Sequence, residues 1–173
     1  MSVEALTQAI RDVPDFPKPG IVFKDITPIL SDPALFAAAV GVFVQRHCDA
    51  KLDKVAAIEA RGFLFGAAVA HELGVGLIPV RKKGKLPSIT IEASYDLEYG
   101  SATLEIHSDA VSSGDRVLIL DDLLATGGTA AATADLVRTL GGNIVEIDFL
   151  VELAFLNGRE KLGRVPVFAP IVF

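Results

Sequence analysis

The 173-residue sequence predicts an α/β fold, a mostly parallel twisted sheet with helices on both faces, and three observations predict it. Short apolar runs without a polar face recur at KVAAI (Lys54 to Ile58), VGLIPV (Val75 to Val80), VLIL (Val117 to Leu120) and IVEIDFLVEL (Ile144 to Leu153). Such runs suit strands covered on both sides. Helix-like stretches alternate with them, and Gly or Pro marks the joints. Strand, helix and strand in repetition give a parallel sheet wrapped by its crossovers.

The elements follow in order. Ser2 is placed to cap a short helix carrying Val3, Leu6 and Ile10, and PDFPKPG (Pro14 to Gly20) is too rich in proline for helix or central strand. With IVFKDITPIL (Ile21 to Leu30) it forms an extended or irregular N-terminal arm, residues 1–32. Asp32 as cap and Pro33 at the first helical position open a helix through LFAAAVGVFVQRHC (Leu35 to Cys48). After KVAAI, FLFGAAVAHEL is a second helix closed by Gly74. VGLIPV and VLIL are read as buried strands. TAAATADLVRTL (Thr129 to Leu140) is a helix with Leu136, Val137 and Leu140 on one face, ended by Gly141-Gly142. Residues 81–114 differ: alternating pieces at Ile89 to Ile91 and Ala102 to Ile106 flank a polar tip, which predicts a hairpin or flap projecting from the body. One domain spanning 1–173 accommodates all of this.

Composition narrows the function. With 51% hydrophobic residues the chain has a sizeable core to bury, and its net charge of −6 argues against a nucleic-acid binder that relies on a broad basic face. No apolar stretch reaches the roughly 18 residues of a transmembrane helix, and MSVEALTQAI lacks a signal pattern, so no membrane association and a cytoplasmic location are expected. The single cysteine, Cys48, excludes an intramolecular disulfide or a thiolate metal cluster. It ends an apolar run and is read as a core cysteine without catalytic role.

The chemistry concentrates in VLILDDLLATGGTAAA (Val117 to Ala132). In an open α/β sheet ligands bind outside the carboxyl ends of the strands, where this stretch lies. Glycines there allow consecutive N–H groups from Ala125, Thr126, Gly127, Gly128 and Thr129 to converge on an anion at the start of the next helix. The lysine of a P-loop is missing. Asp121 and Asp122, acceptors when ionised, suit hydroxyl groups beside that phosphate. A phosphorylated sugar satisfies both halves.

The string DDLLATGGT resembles the phosphoribosyl-pyrophosphate motif of the type I phosphoribosyltransferases. The resemblance extends through DFPKPGIVFKDITPIL, IEARGFLFG, RKKGKLP, SYDLEYG and LVELAFLNGREKLG, in the family's order, toward its adenine-using branch. It implies transfer of ribose 5-phosphate from 5-phosphoribosyl 1-pyrophosphate (PRPP) to adenine, giving AMP and pyrophosphate, with Mg²⁺ and in a homodimer. Members of this fold that act as nucleic-acid regulators would need a basic face or an added domain, and neither is visible.

By that resemblance the 5′-phosphate sits on Ala125 to Thr129, and Asp121 and Asp122 hold the ribose hydroxyls, directly or through magnesium. Mg²⁺ is expected mainly on substrate oxygens, because it retains waters and phosphates as ligands. Pyrophosphate is assigned to Arg61, Gly62, Arg81 and Lys85, ahead of Lys82 and Lys83. Arg61 by itself also suits an ion pair with Glu59 or Glu72. A non-proline cis peptide, common in this family loop, is expected at Ala60-Arg61. Glu98 at the flap tip matches the family's proton-transfer position. Adenine is assigned to the carbonyl of Val22 and the N–H of Lys24, where the family often has Arg, with Phe23 and Leu123 against the ring; Phe23 equally suits core packing. His47, His71 and His107 match no motif.

Overall fold

A computed structural model describes residues 2–96 and 101–173. Its sheet is assembled from strands β3 (Lys54–Ile58), β4 (Gly76–Lys82), β5 (Thr90–Asp96), β6 (Ser101–His107), β7 (Arg116–Leu124), β8 (Asn143–Glu152), β9 (Val167–Phe168) and β10 (Ile171–Val172). The order is β10-β8-β7-β3-β4-β6-β5, with β9 also on β8. The pairs from β10 to β4 are parallel, whereas β6 joins β4 and β5 antiparallel.

Helix α4 (Gly62–Leu73) crosses from β3 to β4, and α5 (Gly128–Thr139) crosses from β7 to β8. These crossovers leave the central pair β3-β7 in opposite directions. The topological switch therefore lies between β3 and β7, and the loops leaving their carboxyl ends flank one crevice. The two faces carry separate cores. One packs α5 with Ile119, Ile147 and Phe149; the other packs α1 (Val3–Ala9), α3 (Pro33–His47) and α4 against Leu118, Leu120 and Leu150.

Local signals explain some boundaries, although Ser2 makes no side-chain cap to α1. Asp32 accepts from the N–H groups of Ala34 and Leu35 at 2.8 and 3.0 Å, and Pro33 opens α3 as expected. Gly74 ends α4 with φ +68°, a left-handed conformation that glycine adopts without a Cβ penalty.

Several expectations change. The arm is extended only in part: β1 (Arg11–Pro14) and β2 (Val22–Asp25) form an antiparallel hairpin, but a helix, α2 (Thr27–Ser31), follows. Leu6, Ile10, Ile26 and Ile29 are buried in the core, so only the hairpin stands outside it. The expected hairpin is present as the antiparallel pair β5-β6, but its base belongs to the body, since β6 extends the main sheet and buries Leu104 and Ile106. Strand β4 alternates instead of being covered twice: Ile78 and Val80 are buried while Leu77 is 43% exposed. Cys48 is exposed, because the helix face that meets the core at this end is occupied by His47.

Candidate functional site

Strand β7 runs past Leu120 and carries the two acids within it, so they alternate across the sheet. Asp122 is buried and Asp121 half-buried. The Asp122 N–H donates to Asp121 Oδ1 at 2.8 Å. Across the crevice, Arg61 Nε lies 2.7 Å from Asp122 Oδ2. The N–H is not aimed along a hydrogen-bond line, so the contact is an ion pair. Arg61 thus pairs with neither Glu59 nor Glu72.

Burial pushes the Asp121 carboxyl well above the usual carboxylate range, and the charge of Asp122 adds to the shift. Burial also raises Asp122, but Arg61 opposes it. The pair accepts a proton more readily than two solvated acids, with Asp122 favoured as the ionised member by its arginine.

The loop after β7 turns at Gly127, which has φ +78° and serves as N-cap of α5. No side chain caps this helix, and its start lines a compartment of about 70 Å³ together with Ala125, Thr126 and Phe149. A Cβ on Gly127 would collide with the Gly158 carbonyl, and one on Gly158 with the Ala125 carbonyl. Gly158 comes from the LNGREKLG block, and its contribution was not visible in local sequence. All five predicted phosphate-loop residues are together here.

A second cleft, of about 360 Å³, adjoins the loop and is lined by Glu59, Arg61, Lys82, Tyr95, Asp121 and Thr129 among others. Gly62 packs directly on β7: a Cβ there would lie 2.7 Å from Asp121 Oδ1 and 3.1 Å from Asp121 Cα. The non-proline cis peptide is Glu59-Ala60, one bond before the expected position. Glu59 accepts from the Lys82 N–H and from Arg81 Nη2, the latter at 3.3 Å. Glu105, buried in β6, accepts from the N–H groups of Lys85 and Leu86 at 2.8 Å each. These two carboxylates hold the RKKGKLP segment in place, a role the sequence suggested for neither.

The four basic residues of that segment are held differently. Arg81 is engaged with Glu59 and with the Lys85 carbonyl, and Lys83 Nζ lies 2.7 Å from Glu92. Lys82, ranked behind Arg81 and Lys85, is the basic residue of the four that lines the cleft. In-and-out alternation along β4 decides this, and no composition signal reports it.

The hairpin reaches the site through Phe23. Arg61 Cζ sits 5.3 Å from the Phe23 ring centroid, and Phe16 meets the same ring edge-on at 5.2 Å. Phe23 is half-buried and belongs to neither of the two buried cores. Lys24 Nζ pairs with Asp12 at 2.6 Å and lies 3.9 Å over the Phe173 ring. Val22 is exposed on the hairpin, and Leu123 lines both compartments. Glu98 lies outside the described residues.

These features match a known family. The phosphoribosyl transferase domain model fits residues 25–162. The chain belongs to the phosphoribosyltransferase family. Among its relatives in that family, the adenine phosphoribosyltransferase of Geotalea daltonii is 54% identical over 99% of this chain and 100% of its own. The structure of the adenine phosphoribosyltransferase of Thermoanaerobacter pseudethanolicus superposes with TM-score 0.96 at 53% identity, covering 99% and 100% of the two chains. That of Saccharomyces cerevisiae, complexed with D-2,5-dideoxy-2,5-imino-altritol 1,6-bisphosphate and adenine, gives TM-score 0.94 at 44% identity over 97% of each chain. The phosphoribosyltransferase fold predicted from sequence is therefore the fold found.

One buried cluster lies apart from the cleft. His47 Nε2 is 2.7 Å from Asp148 and 3.6 Å from Glu146, but Arg46 grips both oxygens of Glu146 at 2.6 and 2.7 Å. A resident arginine and a filled carboxylate make it an ion-pair network, not an open coordination sphere. No helix among the described residues is long and apolar enough to cross a membrane.

Proposed function

We propose that this phosphoribosyltransferase transfers ribose 5-phosphate from PRPP to adenine, forming AMP and pyrophosphate, as a cytoplasmic, Mg²⁺-dependent homodimer. The observation that carries the reading is the crevice itself. Paired acids and an uncapped helix N-terminus leave β7 opposite the Arg61 loop of β3, and an aromatic hairpin adjoins Arg61. The names of the relatives supply the base.

In this reading the 5′-phosphate occupies the compartment at Ala125 to Thr129, where backbone N–H groups and the positive end of α5 receive it. Asp121 and Asp122 accept from the ribose hydroxyls. Arg61, Lys82, Arg81 and Lys85 are the cations around the departing pyrophosphate, with Gly62 keeping the Arg61 loop against β7. As the C1′–O bond to pyrophosphate breaks and the C1′–N9 bond forms, positive charge grows on the sugar, and the nearby carboxylates stabilise it. Glu98 takes the proton lost from the base. Adenine is read by the Val22 carbonyl and the Lys24 N–H, with Phe23 and Leu123 on its faces; backbone groups of fixed polarity reject a 6-oxo purine.

Two carboxylates, one already paired with Arg61, are too few to cage a cation, but they fit one that arrives with phosphate oxygens as most of its ligands. Bound in that way, Mg²⁺ supplies charge neutralisation for the leaving group. Exposed apolar side chains on α4 and β4, Leu64 at 45% and Leu77 at 43%, support association of two copies.

The test is direct. Incubation with PRPP, Mg²⁺ and each purine in turn is expected to yield nucleotide from adenine. Reaction with hypoxanthine or guanine in place of adenine overturns the base assignment.

A further inference from the structure

Strand β5 carries Ile91, Ala93 and Tyr95 on the face that packs against the α5 core. At its end Tyr95 touches the phosphate loop: Thr129 Oγ1 donates to Tyr95 Oη at 3.2 Å. Tyr95 and Thr129 also line the same cleft as Asp121 and Arg61. Three residues further along the chain stands Glu98. The contact therefore joins the segment that leads to the flap tip with the first turn of the helix that receives the anion.

A threonine hydroxyl has one proton and two acceptor sites, and so does a tyrosine hydroxyl. When Thr129 gives its proton to a phosphate oxygen, it no longer donates to Tyr95, but it accepts from Tyr95 without either oxygen moving. The bond reverses: Tyr95 O–H to Thr129 Oγ1, and Thr129 O–H to phosphate. Donation to an ionised acceptor is stronger than donation to a neutral hydroxyl, and each bond in such a chain polarises the next.

We propose that Tyr95 is a positioning residue which orients the Thr129 hydroxyl toward the 5′-phosphate and thereby couples phosphate occupancy to strand β5. This rests on the proposed placement of the 5′-phosphate on Thr129. Tyr95 does not touch the substrate phosphate; it acts through Thr129.

Four proteins test this: the parent, Tyr95→Phe, Thr129→Ala and the double variant, each titrated with AMP and with adenosine by calorimetry. Phenylalanine retains the packed ring and removes the hydroxyl alone. Tyr95→Phe is expected to weaken AMP binding about five-fold, the usual worth of one hydrogen bond, and to leave adenosine binding unchanged. In the Thr129→Ala background the same substitution is expected to have no further effect. If Tyr95→Phe weakens AMP equally in both backgrounds, or weakens adenosine as much as AMP, the coupling is refuted while the phosphate placement stands. If Thr129→Ala leaves AMP affinity unchanged, the placement itself is wrong and the inference falls with it.

Discussion

Arg61 Nε and Asp122 Oδ2 stand 2.7 Å apart, so the guanidinium that follows β3 is held by the second acid of β7 across the crevice. The arginine is 39% exposed and the acid 6%, a half-buried pair. Removing the cation strands a buried carboxylate, which is worse than never having had the pair. Arg61→Ala is expected to lower stability by about 1–2 kcal/mol, less than a fully buried pair because water screens the arginine. It is also expected to raise KM for PRPP at least about ten-fold, the loss of a charge-assisted contact. Urea denaturation and initial rates check both; unchanged KM removes Arg61 from the pyrophosphate site.

Asp121 should behave in the opposite way toward stability. Its folded-state pKa is raised, so ionising it costs folding free energy that grows as pH climbs from the ordinary carboxylate range through the raised value. Asp121→Asn keeps an acceptor for the Asp122 N–H and removes that cost. The variant is expected to be more stable than the parent by about 1 kcal/mol at pH 7–8, with the difference shrinking toward pH 4, and to lose about 100-fold or more in turnover. A variant destabilised at pH 8 would show that the carboxylate is structural.

Gly158 is a backbone position disguised as a loop residue. A Cβ there would enter the Ala125 carbonyl and come within 2.9 Å of the Leu124 side chain, so the phosphate loop must move to accommodate it. Gly158→Ala is expected to cost about 1–3 kcal/mol, as overpacking does, and to raise KM for PRPP with little change in KM for adenine. Equal effects on both substrates would mean that the whole crevice, not the loop, had shifted.

The hairpin has its own pH limit. Asp25 accepts from the Thr27 N–H and from Arg11, and these bonds hold its carboxyl down at about 2. A depressed folded pKa contributes stability that is complete above the unfolded value of 3.8 and disappears as pH falls through about 2. Amide exchange in β1 and β2 is therefore expected to be equally protected at pH 5 and pH 7 and to lose protection below about pH 4. In Asp25→Asn that loss is expected at every pH.

The buried His47–Asp148 contact, 2.7 Å long, gives a control away from the crevice. His47→Ala leaves the fully buried Asp148 without its partner and is expected to cost about 3 kcal/mol with turnover unchanged at 25 °C. Altered KM for either substrate would tie this cluster to the site.

What the sequence by itself determined lies close together along the chain. The helix caps at Asp32 and Gly74, the strand runs and the acids followed by ATGGT depend on neighbours within a few residues, where periodicity and backbone preference act. Its block of resemblance carried the phosphoribosyltransferase family from the same local strings. Tertiary structure decided everything that depends on the order of strands. Arg61 meets Asp122, Glu105 holds the Lys85 backbone, Gly158 backs the phosphate loop and Tyr95 meets Thr129. It also decided that Lys82 and not Arg81 lines the cleft, that β4 keeps one open face, and that Cys48 points out while His47 points in. These contacts join residues far apart in sequence, and which of them meet is set by strand register and by the switch between β3 and β7, quantities that no short window of sequence contains.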